Sequence, residues 1–242
     1  QPPPRSQNQL PQKPGQPPNS AHYFDPIYRQ ILQLGAELGK SGPLPQAGRL
    51  LKHFIGGSAK TINLGQAEVR KMGPMKKLEN TIRKHYVNLE FSGNTQGDPN
   101  YNTRLKSLKD GASFTYSSEN NAAIKQKDLP GLYLGGDHDF ALAIGRTQLK
   151  GKAKYTVTRR GNTIHIVGQI DFNWNEKYDF NKGGSESYLP RRLQKTQGAK
   201  PFDIRANWKQ NFSGTVTIKN GVLSKPNITW TDISPPSSSS PP

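Results

Sequence analysis

Thr163-Ile164-His165-Ile166-Val167-Gly168-Gln169-Ile170-Asp171-Phe172-Asn173-Trp174 alternates without a break. Ile164, Ile166, Gly168, Ile170, Phe172 and Trp174 share one parity, and the other carries Thr163, His165, Val167, Gln169, Asp171 and Asn173. A period of two over this length predicts a strand with one face on a core and the other in water. Upstream, Lys152–Thr158 alternates in the same way and is joined through Arg160-Gly161-Asn162, which predicts a hairpin. Phe202–Trp208 and Gly214–Lys219 read as further strands. Turn signals recur from residue 87 onward, at Gly93-Asn94, Gly97-Asp98, Asp110-Gly111, Gly135-Gly136 and Asn220-Gly221. The expected result is a curved, mostly antiparallel sheet or half-open β-barrel.

Before residue 87 the pattern is helical. Asp25-Pro26 opens a helix as N-cap and first-turn proline, with Ile27, Ile31, Leu34 and Leu38 at helical spacing and Gly39 as a stop. A second helix over Gln46–Ile55 places Ala47, Leu50, Leu51, Phe54 and Ile55 on one side and breaks at Gly56-Gly57. A third, from about Pro74 to Tyr86, turns Met75, Leu78, Ile82 and Tyr86 inward and Lys76, Lys77, Arg83 and Lys84 outward. The fold class is therefore α+β. Residues 1–22 read as a Pro/Gln-rich linker, 23–90 as a helical part, 91–233 as a β-rich activity domain and 234–242 as a Ser/Pro tail. The Gln1-Pro2-Pro3-Pro4 start, with no charged-then-apolar leader, reads as a module within a longer polypeptide.

Composition narrows the chemistry. The 242 residues contain no Cys, which excludes disulfides, zinc–thiolate sites and thiol nucleophiles. No stretch approaches the roughly 20 apolar residues of a membrane-spanning helix. With 34 Lys+Arg against 17 Asp+Glu, the net charge of +17 draws in phosphate-bearing partners, whether nucleic acid, anionic lipid, pyrophosphate or lipopolysaccharide. There is no P-loop, GxSxG elbow, HExxH or dinucleotide fingerprint. Gly135-Gly136-Asp137-His138-Asp139 has the residues of a metal loop but reads as a polar turn after a strand-like Leu132–Leu134.

The densest polar cluster, Asn173-Trp174-Asn175-Glu176-Lys177-Tyr178-Asp179-Phe180-Asn181, caps the clearest strand and runs into Gly183-Gly184. Side chains at a strand end are held rigidly yet reach solvent, which suits a reactive site. Glu176 and Asp179 have the chemistry to hold a divalent cation or act as general base, Tyr178 to donate to a phosphate oxygen, and Asn181 to orient them. The plain alternative is a polar turn with two aromatic anchors.

The run Glu176-Lys177-Tyr178-Asp179-Phe180-Asn181 resembles the catalytic signature of the colicin M family of bacteriocins, an acid, a spacer, then Tyr-Asp and commonly Phe-Asn. His53-Phe54-Ile55-Gly56-Gly57-Ser58-Ala59-Lys60-Thr61-Ile62-Asn63 looks like the glycine-containing segment that opens that family's activity region. Ala143-Ile144-Gly145-Arg146 to Gly151, the Gly168 strand and Lys200-Pro201-Phe202-Asp203-Ile204 are similar to the strands around the signature. The likeness spans roughly residues 47–220 and is specific in the Tyr-Asp-Phe-Asn block. It implies a secreted antibacterial toxin acting in the periplasm of target bacteria, at the inner-membrane surface. The implied reaction is a phosphodiesterase-type hydrolysis of lipid II, the undecaprenyl-pyrophosphate-linked peptidoglycan precursor, between lipid and pyrophosphate. It also implies Mg²⁺ or Ca²⁺ as cofactor, an immunity protein as partner, and no nucleic-acid partner.

Carried over by position, Glu176 stands where the family has its first Asp, Tyr178 and Asp179 match, and Asn175 stands where a further Asp is common. Glu176, Tyr178, Asp179, Asn181 and Arg191 are the expected catalytic residues, with Glu176 and Asp179 on the metal and Lys177, Arg192 and Lys195 binding substrate. The chain departs from the family after this block: Lys182-Gly183-Gly184-Ser185-Glu186-Ser187-Tyr188 replaces a His-Arg pair, and the next arginines are Arg191 and Arg192. Arg is not a general acid or base at ordinary pH. His165 shares a strand face with Asp171 and Asn173 and is the one nearby histidine. The rival from another class is a non-enzymatic basic module that grips nucleic acid or anionic lipid, stacking bases on Trp174, Tyr178, Tyr188, Trp208 and Trp230.

Overall fold

The computed structural model describes residues 25–42, 44–87, 101–179 and 188–233. Outside the described residues lie the expected linker and tail, the turns at Gly93-Asn94 and Gly97-Asp98, Asn181 and Gly183-Gly184. The side chains of Ile27, Ile31, Leu38, Tyr86 and Tyr188 also lie outside them.

The fold is α+β. In chain order, helices α1 (Asp25–Ser41) and α2 (Pro45–Gly56) precede a short strand β1 (Ile62–Asn63), α3 (Gln66–Lys71), α4 (Gly73–Val87) and α5 (Tyr101–Ser107). Then follow β2 (Ser113–Ile124), α6 (Leu129–Leu134), α7 (His138–Ala143), β3 (Thr147–Arg160), β4 (Thr163–Tyr178), α8 (Tyr188–Thr196), β5 (Phe202–Lys219), β6 (Val222–Leu223) and β7 (Asn227–Asp232). Among the described residues the sheet is mixed, seven-stranded and open, with order β1-β5-β4-β3-β2 and with β6 and β7 also on β5. Of the described strands only β1 runs parallel to its neighbour β5.

Alternation along β4 falls as the sequence predicts, with Ile164, Ile166, Ile170, Phe172 and Trp174 at 0–1% exposure. The two strands expected at Phe202–Trp208 and Gly214–Lys219 are one continuous strand of 18 residues. Ala206, Trp208, Gln210 and Phe212 carry the inward register across the gap. Leu132–Leu134 is not a strand but the end of α6, where Pro130 occupies the first turn.

Helices cover one face of the sheet, called inner below. Phe54 and Ile55 of α2 and Met75, Leu78 and Ile82 of α4 join the inward residues of β2 to β5 in one continuous core. The approach of α4 is close: a Cβ at Gly151 of β3 would meet Ile82 Cγ2 at 2.7 Å. Among the described side chains of α1, Ala36 is buried and Leu34, expected inward, is 62% exposed. At mid-sheet, a Cβ on Gly168 would lie 2.2 Å from Tyr155 Cβ, so β3 and β4 approach there at a distance that only glycine allows.

A buried polar cluster ties the helical layer to the sheet. Glu79 of α4, 2% exposed, accepts from Arg70 of α3 through Nε (2.9 Å) and Nη2 (2.7 Å) and also pairs with Arg83. Arg70 Nη1 reaches Asp232 of β7, Arg83 Nε donates to Gln210 Oε1 of β5 at 3.0 Å, and Gln210 Nε2 donates to Asp232 Oδ1 at 2.6 Å. Arg83 also lies over the Trp230 ring, 5.4 Å from its centroid. Arg83 is thus half-buried rather than part of a solvated outer face, unlike the exposed Lys76, Lys77 and Lys84.

Candidate functional site

Glu176 sits near the C-terminal end of β4 on the inner face, between Trp174 and Tyr178 in the alternation. Leu149 of β3 pairs with Trp174, and Thr147, two residues before Leu149 on the same face, reaches Glu176 through its side chain. Thr147 Oγ1 donates to Glu176 Oε2 at 2.7 Å, and Trp174 Nε1 donates to Thr147 Oγ1 at 2.7 Å. The hydroxyl can donate only once, so the indole N–H fixes its proton toward the carboxylate. The backbone N–H of Lys177 makes a long contact of 3.4 Å to Oε1.

Burial raises the proton affinity of the Glu176 carboxyl above the ordinary glutamate value. The Thr147 hydrogen bond, the Lys177 N–H and the charge of Arg146 oppose this rise, while the Asp179 carboxylate adds to it. Glu176 and Asp179 are thus close enough to repel, and the two acids share one locality with Arg146 and Thr147. A half-buried acid whose proton affinity is raised by its surroundings is what a general base requires.

The other expected site residues are distributed differently. Tyr178 is 8% exposed, stacked on Phe202 at 5.0 Å between centroids and edge-on to Phe54 at 6.1 Å. Burial pushes its phenol well above the ordinary tyrosine value, so the group stays neutral. Lys177 points to the outer face, in register with Asp203. Arg191 and Arg192 are half-buried on α8 and Lys195 is exposed there. Asn181 lies outside the described residues. His165 pairs with Thr215 near the opposite end of β4 and on the opposite face, so it does not approach Glu176.

Sequence reasoning missed Thr147 and Arg146 as site residues, because register rather than proximity in the chain delivers them. In the Gly135–Asp139 segment, Asp139 accepts the backbone N–H groups of Gln46 (2.9 Å) and Ala47 (2.8 Å) at the start of α2, and Asp137 accepts from Lys77 at 3.4 Å. These acids hold helices in place, as a polar turn would, although His138 and Asp139 are already helical. Of the aromatics considered for base stacking, Trp174, Tyr178 and Trp208 lie in the core, and Trp230 is flanked by Arg83 and Phe212.

Among the described residues no three His, Cys, Asp or Glu side chains converge as a metal cluster. Glu176 and Asp179 have the donor chemistry of a site in which one or two carboxylates hold a hard cation completed by substrate phosphates and water. The two do not fit an all-protein calcium cage, which takes six or more oxygens. No family model matches the chain, and comparison with curated proteins and with solved structures finds no match.

Proposed function

We propose that this chain is an antibacterial toxin domain that hydrolyses lipid II between the undecaprenyl chain and the pyrophosphate. The observation that carries the reading is Glu176: a half-buried carboxyl with raised proton affinity, aimed by a Trp174–Thr147 hydrogen-bond chain and flanked by Asp179 and Arg146. In this reading Glu176 takes a proton from water as the water oxygen bonds to the phosphorus next to the lipid. The ester bond to the lipid oxygen breaks, and that oxygen leaves as undecaprenol after taking a proton. Arg146 supplies positive charge to the pyrophosphate oxygens. Asp179 would hold a divalent cation, which would neutralise phosphate charge when bound, and Glu176 acts as base only where it does not itself ligate that cation. Tyr178 anchors the strand end through its ring, in contrast to the phosphate-donating role its place in the signature suggests. The +17 charge concentrates the chain at an anionic membrane where the substrate resides.

Labelled lipid II incubated with the protein and Mg²⁺ or Ca²⁺, then separated by thin-layer chromatography, tests this. Release of undecaprenol by the wild type and its loss in Glu176→Gln and Arg146→Ala is the expected result. Intact lipid II in every lane sinks the proposal.

A further inference from the structure

The inner face of the sheet is covered by helices, whereas its outer face is water-exposed along β3, β4 and β5. On β3, Lys150, Lys152 and Lys154 point outward at every second residue, and all three are exposed. Among the described residues none of the three forms an ion pair. Two acids stand level with Lys152 in register, Glu119 on β2 and Asp171 on β4. Asp171 is turned away to Lys209 of β5, at 3.1 Å. Beside this file, β4 and β5 carry amide rungs: Asn173 Nδ2 donates to Asn207 Oδ1 at 2.6 Å, and Gln169 Nε2 lies 3.4 Å from Asn211 Oδ1. At Lys154 the file meets a groove of about 620 Å³ crossing the strands, lined by the polar Thr115, Thr156, Gln169, Asn211 and Ser213 and by Val167, with Tyr155 and Phe212 reaching it only as nearly buried residues, 4% and 3% exposed.

We infer that this face docks an extended, base-free phosphodiester polymer whose repeating units are polyols or sugars. Three observations select that chemistry. First, strand geometry spaces alternate lysines by about 6.7 Å. An extended chain advances about 3.4 Å per three backbone bonds, so a phosphodiester repeat of six bonds spans about 7 Å. Second, the three lysines form a single line along β3, while of the other outward bases Lys209 and Arg205 are paired with Asp171 and Asp203 and Lys177 stands at the end of β4, an arrangement that suits a chain better than a plane of lipid headgroups. Third, the groove offers hydroxyls and amides, partners for polyol hydroxyls, and the outward positions of β2 to β5 include no Phe, Tyr or Trp on which a nucleobase would stack. The inference is independent of Glu176 and of hydrolysis.

Fluorescence anisotropy with labelled poly(glycerol phosphate) tests it. Lys150→Gln/Lys152→Gln/Lys154→Gln should weaken binding more than tenfold and flatten the slope of log K against log salt by about 2, the value expected for three lost phosphate contacts on a single chain. Lys76→Gln/Lys77→Gln/Lys84→Gln, which removes the same charge from α4 on the other side of the sheet, should weaken it less than threefold. Oligothymidylate and inorganic polyphosphate of equal charge should both bind more weakly than the polyol polymer. Equal weakening by both triple variants would reduce the effect to diffuse charge and overturn the proposal. So would tighter binding of oligothymidylate, parity with polyphosphate, or no binding of poly(glycerol phosphate) at low salt. Circular dichroism of both variants checks that the sheet persists.

Discussion

Glu79 lies between two guanidinium groups where α3 and α4 meet the sheet, whereas Glu176, near the far end of β4, is held by one hydroxyl and one long backbone contact. Both carboxyls are withdrawn from water. The first is compensated by opposite charge on two sides and joined to Gln210 and Asp232 in a closed network. The second has Arg146 nearby but also a like charge, Asp179, and burial prevails. A buried acid that is fully paired is structural, because every proton it could move is opposed by a cation in contact. A buried acid only partly paired is strained toward protonation, and strain of that kind is what proton transfer draws on. The contrast makes Glu176 the functional candidate and Glu79 a fastening.

The sharpest way to break the contrast is Glu176→Gln. Loss of a general base predicts a fall in lipid II hydrolysis of about 10²- to 10⁴-fold. Stability should move the other way. The folded-state pKa of Glu176 lies above its unfolded value, so ionising it costs stability as pH rises through that interval, and in full above it. The variant avoids this cost, so it should melt higher than the wild type at neutral pH, with the gap closing below the ordinary glutamate value. A variant that melts lower at neutral pH contradicts the assignment.

Glu79→Ala should do the reverse, destabilising the chain by about 3–5 kcal/mol in chemical denaturation because it strands Arg70 and Arg83. Thr147→Val comes next. It removes the acceptor of a buried indole N–H, at about 1–3 kcal/mol, and the donor that restrains the Glu176 pKa. The acid limb of the pH–rate profile should therefore shift to higher pH. An unshifted limb would show that Thr147 does not position Glu176. Asp232→Asn should have the smallest effect, under about 1 kcal/mol, since the carboxylate is half exposed. Burial opposes ionisation of Asp232, but hydrogen bonds from Arg70 and Gln210 prevail and hold its pKa below the ordinary aspartate value. Its contribution is thus complete above that value and lost as pH falls through the folded one. Wild type and variant should converge in strong acid.

The readable parts of the fold are those where alternation and burial coincide. Thr163–Trp174 showed both faces because every inward position is apolar or glycine. The centre of β5 was hidden because Gln210, 0% exposed, occupies an inward position and breaks the apolar series that would have joined its halves. β2 was hidden for a related reason: Ser117, Ser118, Glu119, Asn120 and Asn121 favour turns over strands, and only pairing with β3 holds them extended. At the site, Glu176 and Asp179 could be associated from spacing alone. Thr147 and Arg146 stand some 29 and 30 residues from Glu176 in the chain, and only the β3–β4 register brings them there. The inward turn of Tyr178 follows from the parity already visible at Trp174, although its chemistry had suggested a donor to a phosphate oxygen.

β7 ends at Asp232, which faces Gln210 on β5 and is gripped by Arg70. A tail pulled from that end would peel an antiparallel ladder rung by rung, a geometry that normally yields at low force. Here the leading rung is tied to the helices by the half-exposed Asp232–Arg70 contact, a modest hold, and the Trp230 ring two residues on is packed against Phe212 and Arg83. A tug on the C-terminal side should therefore meet its main resistance where the Trp230 ring leaves that packing, followed by easy stripping.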